Sequence, residues 1–241
     1  MSYRIEYERL IGLISAAADA PLFSLEAWQA YLGAETETVR LFSAQLAYEW
    51  QPLHVPSALC QTVMAQAQAH LAASGFAWRN LWAHILRVTG NALLLAESAE
   101  ISAEQAFLLG ILHDVGKLDE LRQGTSHELI GAQMAQQWLA SELPAEIIER
   151  LAAAIAKRGA QRDPFVQVLH DADKLDKIGA TGILRRLSSY IGEQNPAAAL
   201  RVVLNELAHF PKMHFAESAR LAERKRNFVA AFLARTTLLV G

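Results

Sequence analysis

Phe107-Leu108-Leu109-Gly110-Ile111-Leu112-His113-Asp114-Val115-Gly116-Lys117 decides how the rest of this chain is read. An apolar run delivers a histidine and an aspartate side by side, so a buried helix holds the backbone of the pair. Neighbours at the end of a helix diverge by roughly 100° and can grip one ion from two sides. Gly116 is predicted to stop that helix. Working outward, Trp82-Ala83-His84-Ile85-Leu86-Arg87 lies upstream, and Ser126-His127-Glu128 and Asp171-Ala172-Asp173-Lys174-Leu175-Asp176 lie downstream. The resulting order is His, His-Asp, His, Asp. A set of two histidines and two aspartates is borderline in softness and suits Mn, Fe, Co, Ni or Zn better than a purely thiophilic ion.

A bare His-Asp dipeptide carries little weight, and the chain has a second one at His170-Asp171. The ordered set, with an apolar helix ahead of each member, is specific. On these residues the chain resembles the HD-domain metal-dependent phosphohydrolases, an all-helical superfamily. His84 matches the family's first histidine, His113 and Asp114 the name-giving pair, and Asp173 the terminal aspartate. His84-Ile-Leu-Arg-Val88 and the stretch 171–185 are similar to a bacterial branch of small HD hydrolases. The resemblance covers residues 76–235. It implies an all-α HD-domain helical bundle with an N-terminal helical extension, divided as 1–75 for the extension and 76–241 for the HD phosphohydrolase domain. It also implies one divalent metal ion per chain, Mn, Fe, Ni, Co or Mg, held by His84, His113, Asp114 and Asp173.

Composition is compatible with that assignment. The chain has 241 residues, enough to bury a core without staples. Cys60 is its single cysteine, which excludes an intramolecular disulfide framework and fits a reducing compartment. The start Met1-Ser-Tyr-Arg-Ile-Glu6 is charged, and no apolar run approaches the ~20 residues that span a bilayer, so a cytoplasmic protein without membrane contact is expected. A net charge of −3 argues against general nucleic-acid binding. Arg224-Lys225-Arg226 is expected on a solvated helix face.

Apolar residues recur at helical spacing almost throughout, with no strand of period two. Ser24, Asn80, Asp163 before Pro164 and Asn195 before Pro196 read as N-caps. Ser102-Ala-Glu-Gln105 and Thr125-Ser-His-Glu128 read as capping boxes. Gly33, Gly75, Gly116 and Gly159 read as helix stops. Trp28, Tyr31, Phe42, Tyr48 and Trp50 read as packing aromatics, with a homodimer contact or a lid as the other options.

Further roles follow. Arg87, three residues after His84, projects on the same side and is a candidate phosphate contact. The resemblance gives Lys117 a phosphate or catalytic contact. Asp173 stands among apolar residues of its helix and needs a partner, which a metal supplies. Asp176 shares its face and is a candidate general base, whereas Asp171 points away and caps or bonds to a neighbouring helix. His127 resembles the additional histidine that some HD enzymes use for a second metal or for acid catalysis. The next helix reads Ile155-Ala-Lys157-Arg158 where such enzymes carry another histidine, so a single metal with His127 as general acid is expected. Arg185 completes the substrate-binding candidates. The catalytic set is then Asp114, Lys117, His127 and Asp176. His170 reads as structural, and His54, His70, His209 and His214 receive no role. The substrate is a small phosphorylated molecule, in the leading reading a nucleotide. A noncatalytic metal- or nucleotide-binding module and an HD-fold di-iron oxygenase are the alternatives.

Overall fold

The computed structural model describes residues 37–50, 52–191 and 196–237. Among them there are eleven helices and no strand. These are α1 (Glu37–Glu49), α2 (Ala58–Ala72), α3 (Arg79–Leu95), α4 (Ala103–Leu112), α5 (Lys117–Gln123), α6 (His127–Leu139), α7 (Ala145–Ile155), α8 (Pro164–Leu175), α9 (Gly179–Ile191), α10 (Pro196–Ala208) and α11 (Ala216–Thr237). The described residues form two compact units, one of residues 52–175 with 213–218, the other of residues 37–50, 176–191, 196–212 and 219–237. Ser24, Trp28, Tyr31, Gly33 and Asn195 lie outside the described residues.

The 52–175 unit is built around α4. Every residue from Ala106 to Gly116 is buried, as a helix hydrophobic on all sides must be. It packs against α2, α3, α6, α7 and α8. Its entry is the expected capping box: Ser102 Oγ accepts from Gln105 N, and Gln105 Oε1 accepts from Ser102 N. Gly110 permits the crossing with α3, because a Cβ there would come within 2.5 Å of Thr89 Cα. Helix α2, which the sequence places in the extension, contributes Cys60, Val63, Ala67 and Leu71 to this same core.

Two helix starts differ from the sequence expectation. Helix α3 begins at Arg79 behind Trp78 with no side-chain cap, so Asn80 is inside it. The box at Thr125 is shifted by one residue: Ser126 is the cap and accepts from Leu129 N, which releases Glu128 for another partner. Asp163 caps α8 as expected, its Oδ1 accepting from Phe165 N at 2.8 Å.

Residues 213–218 are tied into this unit by Asp171, which is fully buried. Its Oδ2 accepts from His214 N at 2.8 Å, from Phe215 N at 3.2 Å and from Ser218 Oγ, and Oδ1 accepts from His170 Nδ1 at 2.9 Å. Burial alone would raise the Asp171 pKa, but these four donors outweigh it and hold the carboxyl below its ordinary value. Asp171→Asn should therefore cost about 1–3 kcal/mol at neutral pH. A depressed folded-state pKa gives stability that is present above the unfolded value of ~3.9 and lost as pH falls through the folded one. Urea denaturation of both proteins should show the gap at pH 7 and its narrowing toward pH 3. A gap that does not change with pH would contradict a charged carboxylate.

In the other unit, α9 packs against α1 and α10. The Glu49 carboxylate caps α9, accepting from Ala180 N at 2.9 Å and Thr181 N at 3.0 Å, with Lys225 Nζ 3.5 Å away. Lys225 is thus buried with an acid partner, contrary to the solvated face expected for 224–226, while Arg224 lies over the Tyr48 ring. The expected packing aromatics are present: Phe42 meets Phe228 and Phe232, and Trp50 Nε1 donates to Thr181 Oγ1.

Candidate metal centre

Three helices bring the ordered motif to one place. His84 projects from the middle of α3, His113 and Asp114 follow the last turn of α4, and Asp173 lies near the end of α8. One ligand atom from each of His84, His113 and Asp173 lies within 4.8 Å of the others. His84 Nε2 is 3.3 Å from His113 Nε2, 3.5 Å from Asp114 Oδ2 and 3.7 Å from Asp173 Oδ1. His113 Nε2 is 3.7 Å from Asp114 Oδ2. All four sequence-predicted ligands are therefore brought together.

The donor chemistry fits a cation. His113 Nδ1 lies 2.7 Å from the Gly110 carbonyl, which can only accept, so the ring proton is on Nδ1 and the Nε2 lone pair faces His84. Burial, opposed by Asp114 and Asp173, lowers the His113 pKa and keeps the ring neutral. Two imidazole nitrogens and two carboxylates, three of the four side chains buried, are a donor set that suits a borderline divalent ion, and the Gly110 carbonyl fixes one ring.

Asp114 is the hub. Burial would push its carboxyl up, but His113, His127, His84 and Lys117 together hold it well below the usual carboxylate range. Lys117, the first residue of α5, places Nζ 2.9 Å from Asp114 Oδ2 and stays 44% exposed, so its ammonium faces both the carboxylate and solvent. His127 opens α6 with Nε2 3.4 Å from Asp114 Oδ1 and Nδ1 2.7 Å from Glu120 Oε2. Asp114 first, then Glu120, raise the His127 pKa above its ordinary value.

The sequence gives Glu120 no role and Glu128 only a capping one. Glu120 orients His127; the available signal is an acid on the helix just before it, seven positions upstream. Glu128 Oε1 is 3.5 Å from His127 Nε2 and 2.6 Å from Lys157 Nζ. Burial raises the Glu128 pKa, yet Lys157 foremost brings it down to about 2. Lys157, where a further histidine is expected in two-metal relatives, thus supplies a positive charge beside His127. It adopts φ +55, just past the end of α7.

Arg87 is on α3, three residues past His84. Helix α8 ends at Leu175, and Asp176 belongs to the other unit, where its Oδ2 accepts from Arg185 Nη1 at 2.7 Å. Asp176 and Arg185 are thus tied to one another.

Residues 81–178 match the HD domain family, a span that contains all four candidate ligands. An uncharacterized protein of Clostridium beijerinckii (strain ATCC 51743 / NCIMB 8052) is 31% identical over 101 residues, covering 39% of this chain and 63% of that relative. The match therefore spans less than two thirds of the relative's length. An HD-superfamily hydrolase from Bacillus thuringiensis has the same fold, with a TM-score of 0.62 at 20% identity over 74% of this chain and 94% of that one. Bacillus subtilis YpgQ in complex with ADP gives 0.57 at 21% identity, over 73% and 92% of the two chains. No helix among the described residues is long and apolar enough to cross a membrane.

Proposed function

We propose that this protein is a metal-dependent phosphohydrolase that cleaves a phosphoester or phosphoanhydride of a small molecule, a nucleotide. The observation that carries the proposal is the convergence of His84, His113, Asp114 and Asp173 beside two side chains suited to phosphate, Lys117 and His127. A nucleotide is favoured because YpgQ, which shares the fold, is found in complex with ADP. The hydrolytic machinery is assigned to side chains within the 76–241 segment, and α2, from the 1–75 extension, supports it by packing into the same core.

His84, His113, Asp114 and Asp173 would hold one divalent ion, which when bound supplies Lewis-acid polarisation of a phosphoryl group and activation of water near neutral pH. The remaining groups belong to the chain. Lys117, fixed on Asp114, neutralises charge that develops on phosphate oxygens, and Arg87 contributes from α3. His127, kept protonated by Asp114 and Glu120, donates its Nε2 proton to the leaving oxygen. Glu120 holds Nδ1 so that Nε2 is the atom presented. Asp176 and Arg185, already paired, position each other and enter no proton transfer.

The test is turnover of dNTPs, NTPs, monophosphates and cyclic dinucleotides by chelator-stripped protein reloaded separately with Mn, Ni, Co, Fe, Mg or Zn. Release of phosphate or pyrophosphate with one metal, absent without it, is the expected result. Silence across the panel with an ion bound at this centre would favour a noncatalytic binding module instead.

A further inference from the structure

A second cluster of ligand-type side chains lies outside the centre described above. His170, on α8, and His214, in the 213–218 segment of the same unit, hold their rings 5.0 Å apart at 79°. One ligand atom from each of His170, Asp171 and His214 lies within 4.8 Å of the other two. The burial pattern suits an ion taken up from solvent: Asp171 is fully buried, His170 half-buried and His214 exposed.

The carboxylate is also built for the role. Its Oδ2 is saturated by His214 N, Phe215 N and Ser218 Oγ, which lock the carboxylate plane. Oδ1 is the oxygen turned toward the histidine pair, 2.9 Å from His170 Nδ1. An ion taken up here displaces the Nδ1 proton of that hydrogen bond, and two ligand atoms at that separation can then both reach it at the usual ~2.1 Å and subtend about a right angle. Outer donors that fix a ligand oxygen in this way typically accompany metal sites. Three residues leave further positions for water.

We infer that His170, Asp171 and His214 form a second, surface site for a borderline divalent cation of the zinc or nickel class, separate from the centre at His113-Asp114. Two imidazoles and one carboxylate select that class over Ca or Mg. The ion joins α8 to residues 213–218 through side chains, adding to the backbone hydrogen bonds of Asp171. It thereby braces the turn of α8 that also carries Asp173. Its role is structural, and it takes no part in turnover.

Zinc stoichiometry by equilibrium dialysis and elemental analysis tests the inference on the full chain. Wild type should bind two ions, His214→Ala one and His170→Ala one, while His214→Cys, which restores a ligand, should return to two. His209→Ala removes an exposed histidine outside the cluster and should change nothing. Asp114→Ala should lose the other ion and keep this one, so the two sites fail separately. His214 is exposed, so its variants should fold. Equal zinc in wild type and His214→Ala, or the same loss in His209→Ala, would overturn the site.

Discussion

Asp114→Ala is expected to abolish turnover and metal binding at the His84, His113, Asp114 and Asp173 centre while leaving a folded protein. The residue contributes an oxygen 3.5 Å from His84 Nε2 and 3.7 Å from His113 Nε2, and it is the anion on which Lys117 and His127 both rest. Loss of outer partners of a ligand commonly costs ~10–100-fold in affinity or activity, so loss of the ligand itself should exceed that range. The metal-free protein should also lose stability, because Lys117 and the histidines outweigh burial in holding the Asp114 carboxylate charged and the substitution leaves those partners without it.

Two melting curves separate these outcomes. Metal at about 100 times its Kd should stabilise wild type by ~2.7 kcal/mol and Asp114→Ala not at all at this centre. Without metal the variant should unfold at the lower temperature, so the increment gained on adding metal, rather than the baseline, reports the lost centre. His127 should also lose the largest influence that raises its pKa, so its imidazole resonances should titrate closer to the ordinary value of ~6.5. A folded variant that keeps full turnover would remove Asp114 from the centre.

The legible part of this fold is the part written in local pattern. Helix α4 is apolar at nearly every position, which announces a central helix, and the four ligands follow or sit within such runs. The Ser102 box and the Asp163 cap depend on residues two or three apart, so sequence suffices for them. What sequence conceals is set by partners distant along the chain. Glu128 looks like a box residue until Lys157, 29 positions on, is seen to take it. Lys225 looks solvated until Glu49 is found beside it. His170 and His214 are 44 positions apart, and nothing in either neighbourhood signals the other.

Gly116 shows the same limit at the centre itself, and Gly116→Ala carries the second large expected effect. The sequence predicts a helix stop there, and the residue has φ −80 and ψ 0 as the N-cap of α5, a conformation open to alanine. The glycine is required by space. A Cβ would lie 2.8 Å from the His127 carbonyl oxygen and 2.8 Å from Ile130 Cβ, so the first turn of α6 would have to move. Overpacking of this kind costs about 1–3 kcal/mol. The same movement displaces His127 from Asp114 and Glu120, and misplacement by ~1 Å can cost about 100-fold in rate. Gly124→Ala is the control: Gly124 has φ +69 with nothing within 4 Å of a Cβ, so alanine there should pay only backbone strain of ~1–2 kcal/mol. Thermal denaturation with kcat on the substrate found should show both variants destabilised and only Gly116→Ala slowed. If Gly116→Ala matched Gly124→Ala in rate and left the His127 titration unchanged, α6 would have yielded without moving the imidazole, and close approach at Gly116 would not be what positions His127.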